Sequence, residues 1–230
     1  MENSQKSSLI RIDKTDIIHL VNQDNSLSKE ITDEMAVPTY LHNNPLITWL
    51  FWRRYEEILR FARLQESDHV LEFGCGLGVF LPTLYARTKH VYAIDLFPSY
   101  AQLLCRQRQM DVQFIENLEN CAENQFDLVI AADVMEHLDQ PQDYYALFQS
   151  RIKPGGRLIL SGPTENYLYR FGRFLAGYSG KIHYHRNNIY GLERIAREMG
   201  FILKDKSILP FRFLPPLFNI LLFENPPKPK

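Results

Sequence analysis

Three glycines fall within five positions, Gly74, Gly76 and Gly78, where the apolar run of residues 70–73 ends in "VLEFGCGLGVFLPTL". Glycine loses more conformational freedom on folding than any other residue, so such a cluster points to a tight turn or a backbone that a ligand approaches closely. One carboxylate, Glu72, stands just before the loop, and another, Asp95, closes the next apolar run, "HVYAID". A carboxylate at the end of a buried strand can accept two hydrogen bonds from a ribose diol. Two nucleotide classes fit that far. A pyrophosphate-binding loop asks for G-x-G-x-x-G, whereas the third glycine position here holds Val79. Glu72 would also repel a pyrophosphate, while it would favour a ligand carrying an ammonium or sulfonium charge. A third run, "FDLVIAAD", ends on Asp133 and is followed by His137 in "DVMEHL". Histidine titrates near neutrality, so His137 is a candidate general base, or else a group that orients its loop, with Glu136 beside it in a structural role.

These residues have to be positioned by elements whose pattern is visible. The runs at residues 70–73, 91–94 and 126–132 are short, apolar and stopped by Gly or Asp, the pattern of buried parallel strands, and "VQFI" adds another. Between them lie stretches of helical length, such as "PSYAQLLCRQRQM", which places Tyr100, Leu103, Leu104 and Gln107 on one face. Strand and helix therefore alternate as in a doubly wound α/β fold. The glycine loop leads into "VFLPTLYA", predicted to be a helix whose N-terminus and dipole face the ligand. Downstream come the helix "QPQDYYALFQSRI", the turn "KPGG", the strand "RLILSG" and the helix "NIYGLERIAREMG" with Gly200 at its end. Two last runs, "FILKDKSIL" and "LFNILLF", are expected to close the sheet as an antiparallel hairpin. Upstream, residues 1–45 read as a loosely ordered arm or helical cap. It leads into an amphipathic helix in "PLITWLFWRRYEEILRFARL", with Ile47, Leu50, Phe51, Ile58 and Phe61 inward and Arg53, Arg54, Glu56 and Glu57 between them.

With 230 residues, 45% hydrophobic composition and a net charge of -1, the chain can bury a core of ordinary size. Near-neutral charge supplies no field for a phosphate backbone, so nucleic acid is not an expected partner and a small-molecule substrate is. Three cysteines, Cys75, Cys105 and Cys121, lack paired zinc spacing and imply reduced thiols, no metal site and a cytoplasmic location. The first residues lack the apolar core of a signal peptide. The segment "ILPFRFLPPLFNILLF" is strongly apolar but interrupted by Arg212, Pro215 and Pro216, so it is not a spanning helix. Together with "WLFWRR" it forms the candidate for a peripheral membrane or lipid contact.

Taken together, "VLEFGCGLG", "VYAID", "FDLVIAADVMEHL" and "RIKPGGRLIL" stand in an order and spacing that resembles the class I S-adenosylmethionine-dependent methyltransferases of the small-molecule kind. The match runs from about Val70 to Ser161. The resemblance implies a Rossmann-like fold over residues 46–230 with S-adenosylmethionine as cofactor. It implies that Glu72 and the loop with Gly74, Gly76 and Gly78 hold the methionine part, Asp95 the ribose hydroxyls and Leu96 one face of the adenine. "IENLEN" departs from the family's frequent acidic residue; Asn117 stands in the nearest position, beside Leu118, and its amide oxygen can still accept from the adenine amino group. Asp133 completes the expected cofactor set.

Methyl transfer from a sulfonium uses an electrophile that is already activated, so the protein mainly aligns the partners. The segment after Ser161, where the resembling enzymes build their pockets, is expected to be a lid over residues 163–188. Its Tyr167, Phe171, Phe174 and Tyr178 lie at helical spacing, and His183 and His185 two residues apart, on one face if extended. Tyr167, Phe171, Phe174, His183 and His185 are the candidate substrate contacts, for an apolar or aromatic acceptor whose methylated atom is left open among oxygen, nitrogen and carbon. The competing reading is a non-catalytic module that keeps the fold to bind a cofactor or a partner.

Overall fold

The computed structural model describes residues 8–23, 32, 35, 37–167, 187–211 and 214–227. Phe171, Phe174, Tyr178, His183, His185 and most of the expected lid lie outside the described residues. The strands form one seven-stranded sheet in the order β3-β2-β1-β4-β5-β7-β6. The chain divides into two compact units, Met1–Asn117 and Leu118–Lys230.

In the first unit, β1 (Val70–Phe73) runs parallel to β2 (Val91–Ile94), pairing Val70 with Val91 and Phe73 with Ile94. β2 in turn pairs in parallel with β3, which is only Gln113–Phe114. All four residues of β1 are buried, as expected for a strand covered on both faces. The expected cap is helical: α1 (Lys14–Gln23) buries Ile17 and Leu20, and α2 (Val37–Tyr40) follows. α1 is tied to α5 (Ser99–Gln107) by Gln107 donating to Gln23 at 2.8 Å and by the Arg108–Asp16 ion pair at 3.1 Å. On α5 the buried face is Tyr100, Ala101, Leu104 and Cys105, so the predicted Leu103 and Gln107 give way to the smaller residues one turn apart.

The amphipathic helix is α3 (Pro45–Ala62), started by Asn44, whose side chain accepts from the Leu46 N–H. Its burial departs from the predicted pattern, because Arg54 and Glu57 are buried along with Trp52, Tyr55, Ile58 and Phe61. Glu57 is compensated by Arg53 at 2.6 Å and Arg60 at 2.8 Å. The Arg54 guanidinium lies over the rings of Phe51 and Tyr55, its Cζ 4.7 and 5.0 Å from their centroids. Within "WLFWRR", Trp52 and Arg54 are buried while Trp49, Leu50, Phe51 and Arg53 are half-buried.

The second unit carries β4 (Phe126–Ala132), parallel to β5 (Ile152–Pro163). Leu128, Val129, Ile130 and Ala131 have no exposed surface; each of the three larger side chains contributes about 1.5–3 kcal/mol by burial. β7 (Phe218–Glu224) lies antiparallel between β5 and β6 (Ile202–Leu209), which is the expected C-terminal hairpin. "KPGG" was expected as a turn but belongs to β5: Gly155 adopts φ 77° and its N–H donates to the Asn225 carbonyl at 2.7 Å, so the strand continues through an irregularity. α6 (Pro141–Arg151) and α7 (Ile189–Glu198) are joined by the buried Tyr145 hydroxyl, which donates to the Leu192 carbonyl at 3.0 Å. Among the described residues no helix is long and apolar enough to cross a membrane.

Candidate active site

The glycine loop leaves β1 and is tied at once to β2, since the N–H groups of Gly74 and Cys75 both donate to the Ile94 carbonyl, at 2.8 and 3.2 Å. Asp95 completes the tie. Its Oδ2 accepts from the Gly76 N–H at 2.7 Å and its Oδ1 from the Phe97 N–H at 2.9 Å, so the carboxylate is oriented by main chain on both sides. Each oxygen retains acceptor capacity for a ligand hydroxyl. Gly76 has φ +52°, and among the described residues a Cβ built there meets nothing nearer than the Met35 Cβ at 4.0 Å. Gly78 differs: at φ +74° a Cβ would lie 2.8 Å from the Ala101 Cβ and 2.9 Å from its Cα, so this glycine lets the loop pack on α5. The helix after the loop, α4, is only Leu81–Tyr85, with Phe80 rather than a polar residue before it. The predicted eight-residue helix is therefore corrected to one turn, since residues 78–81 are spent on a turn in which the Leu81 N–H donates to the Gly78 carbonyl. A helix this short has little macrodipole to offer.

Glu72 points inward. It is 2% exposed, and its Oε2 has no accessible surface and, among the described residues, no hydrogen-bond partner. Burial, and then the charge of Asp95, push its carboxyl well above the ordinary range. Nearby, the buried hydroxyls of Tyr40 and Tyr55 hydrogen-bond to each other at 3.0 Å, and the Tyr55 ring stacks on Phe80 at 4.7 Å. Leu96, the predicted adenine contact, is 89% exposed. Asn117 is exposed as well.

In the second unit the end of β4 carries Asp133 in a left-handed conformation, φ 55°, which is uncommon outside glycine. Two bonds hold it there: its N–H donates to the Ser161 carbonyl at 3.0 Å, and the buried Ser161 hydroxyl donates to its Oδ1 at 2.6 Å. His137 ends a 3₁₀ turn, Met135–His137, rather than an α-helical turn after Asp133, and is half-buried. Glu136 is 1% exposed. Asn187 pins this loop, its N–H donating to the Glu136 carbonyl at 3.2 Å and its Nδ2 to the Leu138 carbonyl at 3.1 Å. Leu118 is buried, and its carbonyl accepts from Arg151 Nε at 3.2 Å. Tyr167, the described member of the aromatic stripe, is 75% exposed.

Sequence reasoning missed Ser161, Asn187 and the Tyr40–Tyr55 pair. Only Ser161 carried a signal, as the residue ending the "RLILS" run. A cavity of about 900 Å³ in the first unit, lined by Arg60, Arg63, Arg87 and Leu64 among others, lies at the other end of β1 from the glycine loop. It takes no part in this chemistry. Among the described residues no cluster of His, Cys, Asp and Glu is arranged to hold a metal ion.

The chain is 26% identical over 122 residues to the mitochondrial ubiquinone biosynthesis O-methyltransferase of Schizosaccharomyces pombe, an alignment covering 50% of this chain and 44% of that protein. It is 27% identical over 207 residues to the ubiquinone biosynthesis O-methyltransferase of Hydrogenovibrio crunogenus, covering 83% of each. The chain spans about half the length of several of the curated relatives it matches. In structure it is similar to the N-methyltransferase NodS of Bradyrhizobium japonicum in complex with S-adenosyl-L-homocysteine, with TM-score 0.65, 19% identity and coverage of 86% of this chain and 98% of that one. That likeness establishes the seven-stranded α/β fold. Residues 47–203 match the family described as methyltransferase domain, and with more than half of its length inside that match the chain belongs to this family.

Proposed function

We propose that the chain is an S-adenosylmethionine-dependent methyltransferase acting on a hydroxyl oxygen of a small apolar or aromatic acceptor. The observation that carries the reading is the first-unit arrangement of an open glycine loop, a main-chain-oriented Asp95 and a buried Glu72 oxygen that lacks a partner. These residues fit the cofactor. The space over Gly76 admits a close ligand, Asp95 can take ribose hydroxyls, the exposed Leu96 offers an apolar face, and Glu72 can receive a cation. When bound, the cofactor supplies a sulfonium-activated methyl group. The protein's own part is alignment and removal of a proton from the acceptor hydroxyl. His137 is the residue we assign to that proton, on a loop held by Asn187 and next to the fixed Asp133. The choice of oxygen rests on the names of the curated relatives.

The test is release of S-adenosylhomocysteine in the presence of a panel of phenols and catechols with apolar substituents, set beside matched amines. Turnover of the phenols is expected, with His137→Gln lowering kcat about 10²–10⁴-fold. Turnover of amines alone would overturn the oxygen assignment. Binding of the thioether without turnover of any acceptor would favour the non-catalytic module.

A further inference from the structure

Among the described residues, no cation stands against Glu72 to balance a negative charge. Its Oε2 is sealed from solvent and accepts no hydrogen bond from the described residues. Among the described residues, the titratable groups coupled to it are Asp95 at the end of β2, Tyr40 on α2, Tyr55 on α3, Cys75 in the glycine loop and Cys105 on α5. None of these is a cation. The guanidinium of Arg54 acts on Tyr40 and Tyr55 and is not among the groups acting on Glu72. Burial pushes the Cys105 thiol up to about 12, and burial pushes Cys75, Tyr40 and Tyr55 upward too, so this wall is made of neutral groups with Asp95 the one anion among them. A buried carboxylate in such surroundings is strongly disfavoured unless a cation comes to it.

We propose that Glu72 is the neutral acid while the site is free of cofactor and becomes a carboxylate when the α-ammonium end of the cofactor docks, its O–H proton passing to solvent, so that cofactor uptake releases a proton. The inference rests on the methyltransferase reading above. The balance is simple: one O–H bond breaks, the electron pair stays on the Glu72 carboxylate, and the proton goes to buffer. The sign follows from linkage. A carboxyl raised by burial and by Asp95 binds its proton more tightly in the folded protein than in the unfolded one. The free protein therefore loses stability as pH rises through the Glu72 range, while cofactor affinity gains over the same interval. S-adenosylhomocysteine keeps the α-ammonium but not the sulfonium, whereas 5′-methylthioadenosine has neither. Product should thus release a proton and the truncated nucleoside should not.

The experiment is calorimetric titration of the full chain with S-adenosylhomocysteine in two buffers of different ionisation enthalpy, across a pH series, with 5′-methylthioadenosine in parallel. The expected result is release of close to one proton per S-adenosylhomocysteine on the acid side of the Glu72 range, with affinity rising about tenfold per pH unit there. No proton release with 5′-methylthioadenosine and a pH-independent affinity in Glu72→Gln complete the expectation. Tight binding of S-adenosylhomocysteine by the wild type with identical heats in both buffers overturns the proposal without any variant. Failure of both ligands to bind would instead overturn the cofactor reading on which it rests.

Discussion

Replacing Gly76 and Gly78 by alanine, one at a time, separates what the loop does for a ligand from what it does for the fold. Both glycines have positive φ, and an L-residue in that region costs about 1–2 kcal/mol. At Gly76 that is nearly the whole effect on stability, since the added methyl meets no atom of the described residues closer than 4.0 Å. At Gly78 the methyl would lie 2.8 and 2.9 Å from Ala101 and 3.0 Å from Leu81 Cδ1, two backbone-proximal contacts that cannot swing away. Overpacking of that kind adds about 1–3 kcal/mol, for a total of about 2–5 kcal/mol. With an m-value of about 2 kcal/mol/M, urea midpoints should fall by about 1–2.5 M for Gly78→Ala and by less than about 1 M for Gly76→Ala. Affinity for S-adenosylhomocysteine should show a separate pattern. The Gly76 methyl enters the space a ligand would use, and about 1–3 kcal/mol of crowding is a loss of about five- to 150-fold. Equal stability losses in the two variants would refute the tight packing of the loop on α5. Undiminished affinity in Gly76→Ala would refute the close approach of ligand to that backbone.

Asp95→Asn should cost about 1–3 kcal/mol in a urea melt, because its amide nitrogen must face either the Gly76 or the Phe97 N–H, leaving a donor without an acceptor. It should also move the proton release of Glu72 to lower pH, since the charge of Asp95 helps hold that carboxyl up; an unmoved pH profile would count against their coupling. Glu193 is governed by the opposite sign: burial raises it, but Lys206 and Arg197, at 3.0 Å each, outweigh that and hold it below the usual carboxylate range. Its contribution is present above the ordinary glutamate pKa and lost as pH falls through the depressed native value. Glu193→Gln should cost about 0.5–1 kcal/mol at neutral pH and nothing at the acid end, read from urea midpoints at two pH values.

The sheet was legible because each strand announces itself twice, by an apolar run and by the residue that stops it. Glu72, Asp95 and Asp133 all sit where that rule places them, at or just beyond the carboxyl end of a strand. The antiparallel hairpin of β6 and β7 followed from two apolar runs with a proline-broken connection. Local length was less legible. The helix after the glycine loop was read as eight residues from its apolar content, but the chain spends residues 78–81 turning and leaves one helical turn. Charge misled at α3, where Arg54 and Glu57 look like a solvent face. Periodicity cannot show that Arg53 and Arg60 both reach Glu57, or that Arg54 lies on two aromatic rings.

The carboxylates at the strand ends share a residue type and differ in what holds them, and that difference decides what each can do. Asp95 is fixed by two main-chain N–H groups, which set its direction before any ligand arrives. Asp133 is held by the Ser161 hydroxyl in a strained backbone conformation, so its position depends on β5 as much as on β4. Glu72 receives no hydrogen bond from the described residues on its buried Oε2 and is left to the low dielectric around it. Asp95, held by main-chain donors, is suited to presenting steady acceptors to neutral hydroxyls. A carboxyl held by burial is suited to responding to a charge. The same glycine loop serves both, because the Gly76 N–H that anchors Asp95 lies in the segment that follows Glu72 out of β1, so the loop cannot be displaced without disturbing the two acids together.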